Sequence, residues 1–431
     1  MKGILTILIF LVFVTSSFDI LFNLNLGGFN VRTCYLAAFA FIFVYAGQFK
    51  DASRFRFVGM GSFVIWFLFV TAFVWNTQFL TRNIGYLAWL CFNMFACYAI
   101  YKYGQLKSAQ ELIRLYVLSF FVMALVGIAQ FMLSAVGIHV LITMWWKINK
   151  IPRVNALSYE PSYYATYLLI GFVFLYYSQR KGIWYFKQRM QILILSCVAI
   201  AIFLSTSRMG ILFMVVILLY DFAKMMIRAL FTWRISRVNF FIALVFIGAM
   251  ATVVGRILLD DKQRKLYLAG TGLESTASHS KDTRIRQMNN VFLVFQDSPL
   301  VGYSLGGIAP AIAHYYGDKT KDQKKAKEYE GLNIFLEVLA ASGIVGFLFF
   351  CSWLFQLFRA NIKLSGMLRL NGYVRESGIL EALRYALIAE FLILVLSQNI
   401  LRPYLWILIG VTNALYYRFK DQLNQVPSAQ S

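Results

Sequence analysis

The chain has 431 residues, of which 60% are hydrophobic and only 14% charged, a balance far more apolar than a soluble fold of this length can hide in one core. Its formal charge of +22 would suggest nucleic acid only if the basic residues were pooled; they are instead spread over the connections between apolar runs, where they anchor loops against anionic headgroups. Cys34, Cys91, Cys97, Cys197 and Cys351 all fall inside apolar runs, without a CxxC pair or metal-ligand spacing, and read as small apolar residues.

Apolar runs of the length that crosses a hydrocarbon core about 30 Å thick recur at 4–22, 33–49, 57–75, 83–101, 113–137, 161–178, 190–205, 209–223, 238–258, 332–358, 380–397 and 401–417. They predict an all-α polytopic membrane protein of about twelve transmembrane helices. Residues 1–258 hold helices one to nine, 259–331 form one large loop, and 332–431 hold helices ten to twelve and a tail. Val14 to Ser17 would pass as a signal-cleavage site after the first run, but the topology calls for an uncleaved anchor. With the N-terminus inside, 22 of the 41 basic residues fall in cytoplasmic connections and only seven in short outer ones. The other 12 lie between Arg256 and Lys327, in a loop long enough to cross regardless of charge. Both termini are therefore expected in the cytoplasm and the large loop in the periplasm. No related halves of a transporter are visible.

Between the fifth and sixth runs, Trp145, Trp146, Lys147, Lys150 and Arg153 are suited to the membrane interface. Pro161 suits the first turn of the sixth helix, which puts Glu160 at a helix N-terminus facing the outer water layer. There it either complements the helix dipole, worth about 0.3–1 kcal/mol, or serves the chemistry. Ser205-Thr206-Ser207-Arg208-Met209-Gly210 divides two runs with almost no polar connection. An arginine held there either snorkels to headgroups or offers its guanidinium fork to a phosphate.

In the large loop, Ile285, Met288, Phe292 and Phe295 give Lys281–Gln296 the stripe of an amphipathic helix, closed by Asp297-Ser298-Pro299. Asp282-Thr283-Arg284-Ile285-Arg286 opens that helix and brings two guanidinium groups close to its first turn, where backbone donors also favour an anion. Ser298 to Gly307 is rich in turns that could rim a cavity, without the Lys-Ser/Thr of a P-loop. Glu337 and Glu390 interrupt apolar spans; such carboxylates face a wet interior or pair with a buried donor such as Arg384. His139, His279 and His314 lack ligand spacing, and no DxD, Walker or GxSxG sequence is present, so no metal, cofactor or nucleotide site is expected.

Four stretches, in this order, resemble the bacterial O-antigen polymerase and O-antigen ligase superfamily: Tyr159-Glu160-Pro161-Ser162; Ser205 to Gly210; Arg284 through Pro299-Leu300-Val301-Gly302; and Asn333-Ile334-Phe335-Leu336-Glu337 followed by Gly343-Ile344-Val345-Gly346. Ser397-Gln398 with Arg402-Pro403 fits the family's ending. The resemblance implies a GT-C-like helical fold whose periplasmic loop covers a site for an undecaprenyl-pyrophosphate glycan donor and its acceptor. By matching positions, Arg208 and Arg284 would contact the donor pyrophosphate, with Arg153, Arg286 and Arg402 as further candidates. Glu160 is the first choice of base for the acceptor hydroxyl, Glu330 and His314 the alternatives. Ligases of the family typically carry a histidine directly before the asparagine matching Asn333, whereas this chain has Leu332. The resemblance thus implies a metal-independent, inverting glycosyltransferase of the inner membrane that polymerises lipid-linked repeat units of an O-antigen or exopolysaccharide. Its partners would be the lipid-linked oligosaccharide, membrane lipids and a chain-length regulator. Ligation to lipid A core or protein, and transport of the lipid-linked sugar, are the alternatives.

Overall fold

The computed structural model describes residues 2–20, 24–26, 29–49, 54–142, 144–146, 151–232, 278–318, 329, 333–397 and 400–425. In chain order, α1 (Lys2–Val14) runs into a 3-10 turn (Thr15–Ser17), and the short hairpin β1 (Leu24–Leu26) and β2 (Phe29–Val31) precedes α2 (Thr33–Gln48). There follow α3 (Met60–Ala72), α4 (Leu80–Leu106) and α5 (Ala109–Ala135). A second hairpin, β3 (Met144–Trp146) and β4 (Ile151–Arg153), leads to α6 (Pro161–Arg180), α7 (Gln188–Leu204) and α8 (Arg208–Thr232). The remaining helices among the described residues are α9 (Ser278–Asp297), α10 (Ile308–Tyr315), α11 (Ile334–Leu370), α12 (Val374–Ser397) and α13 (Pro403–Asn424).

Among the described residues the architecture is all-α, with two small antiparallel hairpins that the hydropathy pattern did not signal. Among the described residues three helices, α4, α5 and α11, are long and apolar enough to cross a membrane, and α1, α2, α3 and α7 are shorter apolar helices. At 1.5 Å per residue the 13 residues of α3 span about 20 Å, less than a hydrocarbon core, so its apolar run reaches full span length only with its flanks. The span expected at 238–258, residues 259–277 of the large loop and Glu330 lie outside the described residues. The helix expected from Lys281 is already formed at Ser278, so Arg284 and Arg286 sit beyond its first described turn rather than in it.

Short polar sequences fix where several helices start. Ser108 caps α5 by accepting the Glu111 amide at 3.1 Å, and Lys107 pairs with Glu111 at 2.8 Å. Pro161 and Pro403 occupy first turns, where a missing N–H costs nothing. Asn333 caps α11, its Oδ1 accepting the amides of Phe335 and Leu336 at 3.0 and 3.1 Å. The core is aromatic: Trp353 and Trp406 stack with centroids 5.8 Å apart, and Phe63 packs against both rings. Phe43, Leu348, Phe355 and Leu392 instead face outward, as apolar residues against lipid do.

The end of the bundle at which α3, α5 and α13 meet their loops is latched by charge. Arg56 pairs with Asp421, Lys181 with Glu381, and Arg418 donates to the carbonyls of Gly104 and Lys107 at 2.7 and 2.6 Å. The opposite end, where α2, α4, α6, α8, α11 and α13 begin, carries most of the residues singled out from the sequence.

At that end, the Ser298–Gly307 turn clasps a break in α11. Gly343 has φ +59°, which opens the helix and leaves carbonyls without their usual partners. Those of Ala340 and Ala341 accept the amides of Tyr303 and Ser304 at 3.0 and 2.8 Å, while the Ile344 amide donates to Pro299 at 2.8 Å. Gly302 and Gly343 are both needed, because a Cβ on Gly302 would lie 2.4 Å from Ala341 and one on Gly343 2.2 Å from Leu300. The Ser298–Gly307 turn is thus one half of a backbone joint. Arg82 and Asn83 at the start of α4 brace it through the carbonyls of Gly306 and Tyr303, at 3.1 and 3.0 Å.

Candidate functional site

The first turn of α6 is the hub of the candidate site. The segment leading into it is fixed by backbone and amide bonds. Gln130 of α5 accepts the amides of Asn155 and Ala156 at 3.2 and 2.9 Å and donates to Val140 at 2.8 Å. The Leu157 carbonyl takes the amides of Asp19 and Ile20, and the Ser158 hydroxyl donates to the Ser17 carbonyl at 2.8 Å. Glu160 is the residue before the helix, with extended backbone, and its carboxylate accepts the Ser162 hydroxyl at 2.9 Å.

On one side of this turn stand Arg153 and Arg208. The chain reverses between α7 and α8 in three residues. Thr206 takes φ +48°, a left-handed conformation costly for a β-branched residue, of order 1–3 kcal/mol, and Ser207 then caps α8. Arg208 opens α8 with its side chain exposed. Arg153, half-buried at the end of β4, donates from Nε to the Thr206 hydroxyl at 3.0 Å. Burial, and next the like charge of Arg208, hold the Arg153 guanidinium below the usual arginine range, while the Glu160 carboxylate pushes it back up. Arg153, Arg208 and Glu160 therefore share one electrostatic environment although 55 residues separate the two arginines.

On the other side stands Arg402, the residue before α13. Its guanidinium lies 3.5 Å from the centroid of the Tyr163 ring and 3.5 Å from Asp19 Oδ2, and Asp19 also pairs with Arg32 at 3.1 Å. Arg402 is 8% exposed, so it acts first as a linker between the end of α1, the start of α6 and the start of α13. The start of α6, itself partially positive, thus has Arg402 over its Tyr163 ring, with Asp19 shared between Arg402 and Arg32, and the Arg153–Thr206 corner that leads to Arg208 on its other side. That excess of positive charge suits an anion with several oxygens.

The other candidates are placed elsewhere. Arg286 is exposed on α9, which packs on α10 and α11, and Arg284 belongs to the same helix, its side chain outside the described residues. His314 is exposed at the end of α10. Glu390 is buried in α12 with neither carboxylate oxygen hydrogen-bonded among the described residues. Arg384, one buried donor offered as a partner, reaches Asn361 and Ser365 instead. Among the described residues no group of three or more His, Cys, Asp or Glu side chains could hold a metal ion.

Asp19, Tyr163, Gln130 and Thr206 were not singled out from the sequence. Asp19 carried a signal: it is a lone carboxylate at the end of the first apolar run, and a charge in that position needs a partner. The others gave none, because what they do depends on contacts with distant segments.

An all-α membrane protein with an arginine-rich polar end is the class that fold and site define. The family model described as O-antigen ligase matches residues 192–351, from α7 through the break in α11. Over that stretch the chain is similar to the O-antigen ligase family. No curated protein matches the chain.

Proposed function

We propose that this protein polymerises lipid-linked repeat units of a surface polysaccharide, such as an O-antigen or exopolysaccharide, at the periplasmic face of the inner membrane. The observation that carries this reading is that Arg153 bonds the corner that opens α8 at Arg208, while the first turns of α8 and α6 pack together at Gly210 and Ala165, beside Glu160. The acceptor hydroxyl oxygen attacks the anomeric carbon of the growing chain. The bond from that carbon to the pyrophosphate oxygen breaks, undecaprenyl pyrophosphate leaves with the electron pair, and the hydroxyl proton passes to Glu160. One displacement inverts the anomeric configuration. Arg153 and Arg208 stabilise the charge growing on the pyrophosphate, which is where fixed cations accelerate such a step. Arg284 and Arg286 would join them from α9.

Leu332, in place of the histidine typical of ligases, supports polymerisation over ligation. A deletion strain distinguishes the two on a glycan gel: loss of a polymerase leaves single repeats attached, whereas loss of a ligase leaves long chains on the lipid carrier. Arg208→Ala and Arg284→Ala proteins that insert normally are expected to lose the chain-length ladder. Wild-type ladders from both would overturn the pyrophosphate assignment.

A further inference from the structure

The corner between α7 and α8 poses a question of residue choice. The chain turns there through a left-handed residue, with the Thr206 amide donating to the Phe203 carbonyl at 2.9 Å. Glycine fills such a position without strain, and a β-branched side chain is among the least suited to it. The threonine is nevertheless used. Its hydroxyl accepts the Arg153 Nε–H at 3.0 Å, and the Val154 amide donates to the Leu204 carbonyl at 3.2 Å, so hairpin and corner are joined by one side-chain and one backbone bond. Arg153 bonds the corner two residues before Arg208, and two like charges on one corner disfavour each other's approach. The Nε edge is the one that Thr206 occupies, which turns the terminal amino groups of Arg153 toward other acceptors; one of them lies 3.8 Å from Met144 Sδ.

Resting on the reading of Arg153 and Arg208 as pyrophosphate contacts, we infer that Thr206 is a positioning residue, whose hydroxyl holds Arg153 beside Arg208 so that both guanidinium groups can engage one pyrophosphate. Its strained backbone is what brings that hydroxyl within reach. Thr206 itself does not touch the substrate.

The test is the dissociation constant of farnesyl pyrophosphate, a short isoprenyl pyrophosphate, for the full-length protein purified in detergent. Thr206→Gly keeps the backbone conformation and removes the hydroxyl, Thr206→Val keeps the shape, and Thr206→Ser keeps the hydroxyl. Glycine and valine are expected to weaken binding about tenfold, as loss of a hydrogen bond to a charged group does, with serine within about threefold of wild type. Arg153→Ala combined with Thr206→Gly is expected to bind no more weakly than Arg153→Ala alone. A merely structural corner predicts the opposite, because glycine is the better turn residue. If Thr206→Gly binds as wild type while Arg153→Ala does not, the positioning role is overturned and the pyrophosphate reading stands. If Arg153→Ala and Arg208→Ala both bind as wild type, the pyrophosphate reading falls and takes this inference with it. Should the valine protein fail to accumulate, the glycine and serine proteins decide the matter.

Discussion

Arg402 lies face-on to the ring of Tyr163, 3.5 Å from its centroid, while Asp19 holds the same guanidinium at 3.5 Å and Arg32 at 3.1 Å. Three segments far apart in sequence are joined by this one group. Asp19→Ala leaves two arginines without their shared carboxylate, one of them almost fully buried, and is expected to cost about 3–5 kcal/mol. Thermal unfolding in detergent measures it. Arg402→Lys keeps the charge but loses the planar stack, and a smaller loss of about 0.5–2 kcal/mol is expected.

Glu160→Gln tests the acid–base assignment without changing size. If Glu160 takes the proton of the acceptor hydroxyl, turnover is expected to fall by about 10²–10⁴-fold, with pyrophosphate binding retained. Polymer formed in vitro from lipid-linked repeats, set beside farnesyl pyrophosphate binding by the same protein, reads the two effects separately.

Gly343→Ala and Gly302→Ala each drive a methyl group into the opposing backbone of the clasp. Left-handed strain of order 1–3 kcal/mol is added to an overpacking cost of similar size. Both proteins are expected to be recovered from membranes in reduced amount and to unfold at lower temperature than wild type.

Asn333→Ala removes the cap that accepts two amides at the start of α11. A loss of about 1 kcal/mol is expected, with Asn333→Asp recovering most of it, and denaturant unfolding distinguishes the two.

Local signals in the sequence were sufficient for several of these elements. Pro161 opens α6 and puts Glu160 before it, and the stripe from Ile285 to Phe295 becomes a helix ending at Asp297. The glycines of Ser298–Gly307 and Gly343–Gly346 were visible as motifs, but not as halves of one joint. Only the kink shows that the carbonyls released by one motif are taken by the amides of the other. Arg402 looked like one more outer arginine, because nothing nearby in sequence reveals that Asp19 and Tyr163 enclose it.

Composition and periodicity by themselves determined that the chain is helical, apolar and destined for lipid, since hydropathy and helix-start residues act over a few turns of chain. The order of four short motifs was enough to point to the superfamily. Tertiary structure alone decided which charges share a site. Arg153 meets Arg208 through Thr206, Arg402 meets Asp19, and Glu390 lies apart from Arg384, because electrostatic and hydrogen-bond partners are chosen by distance in space, and sequence separation carries almost no information about that distance.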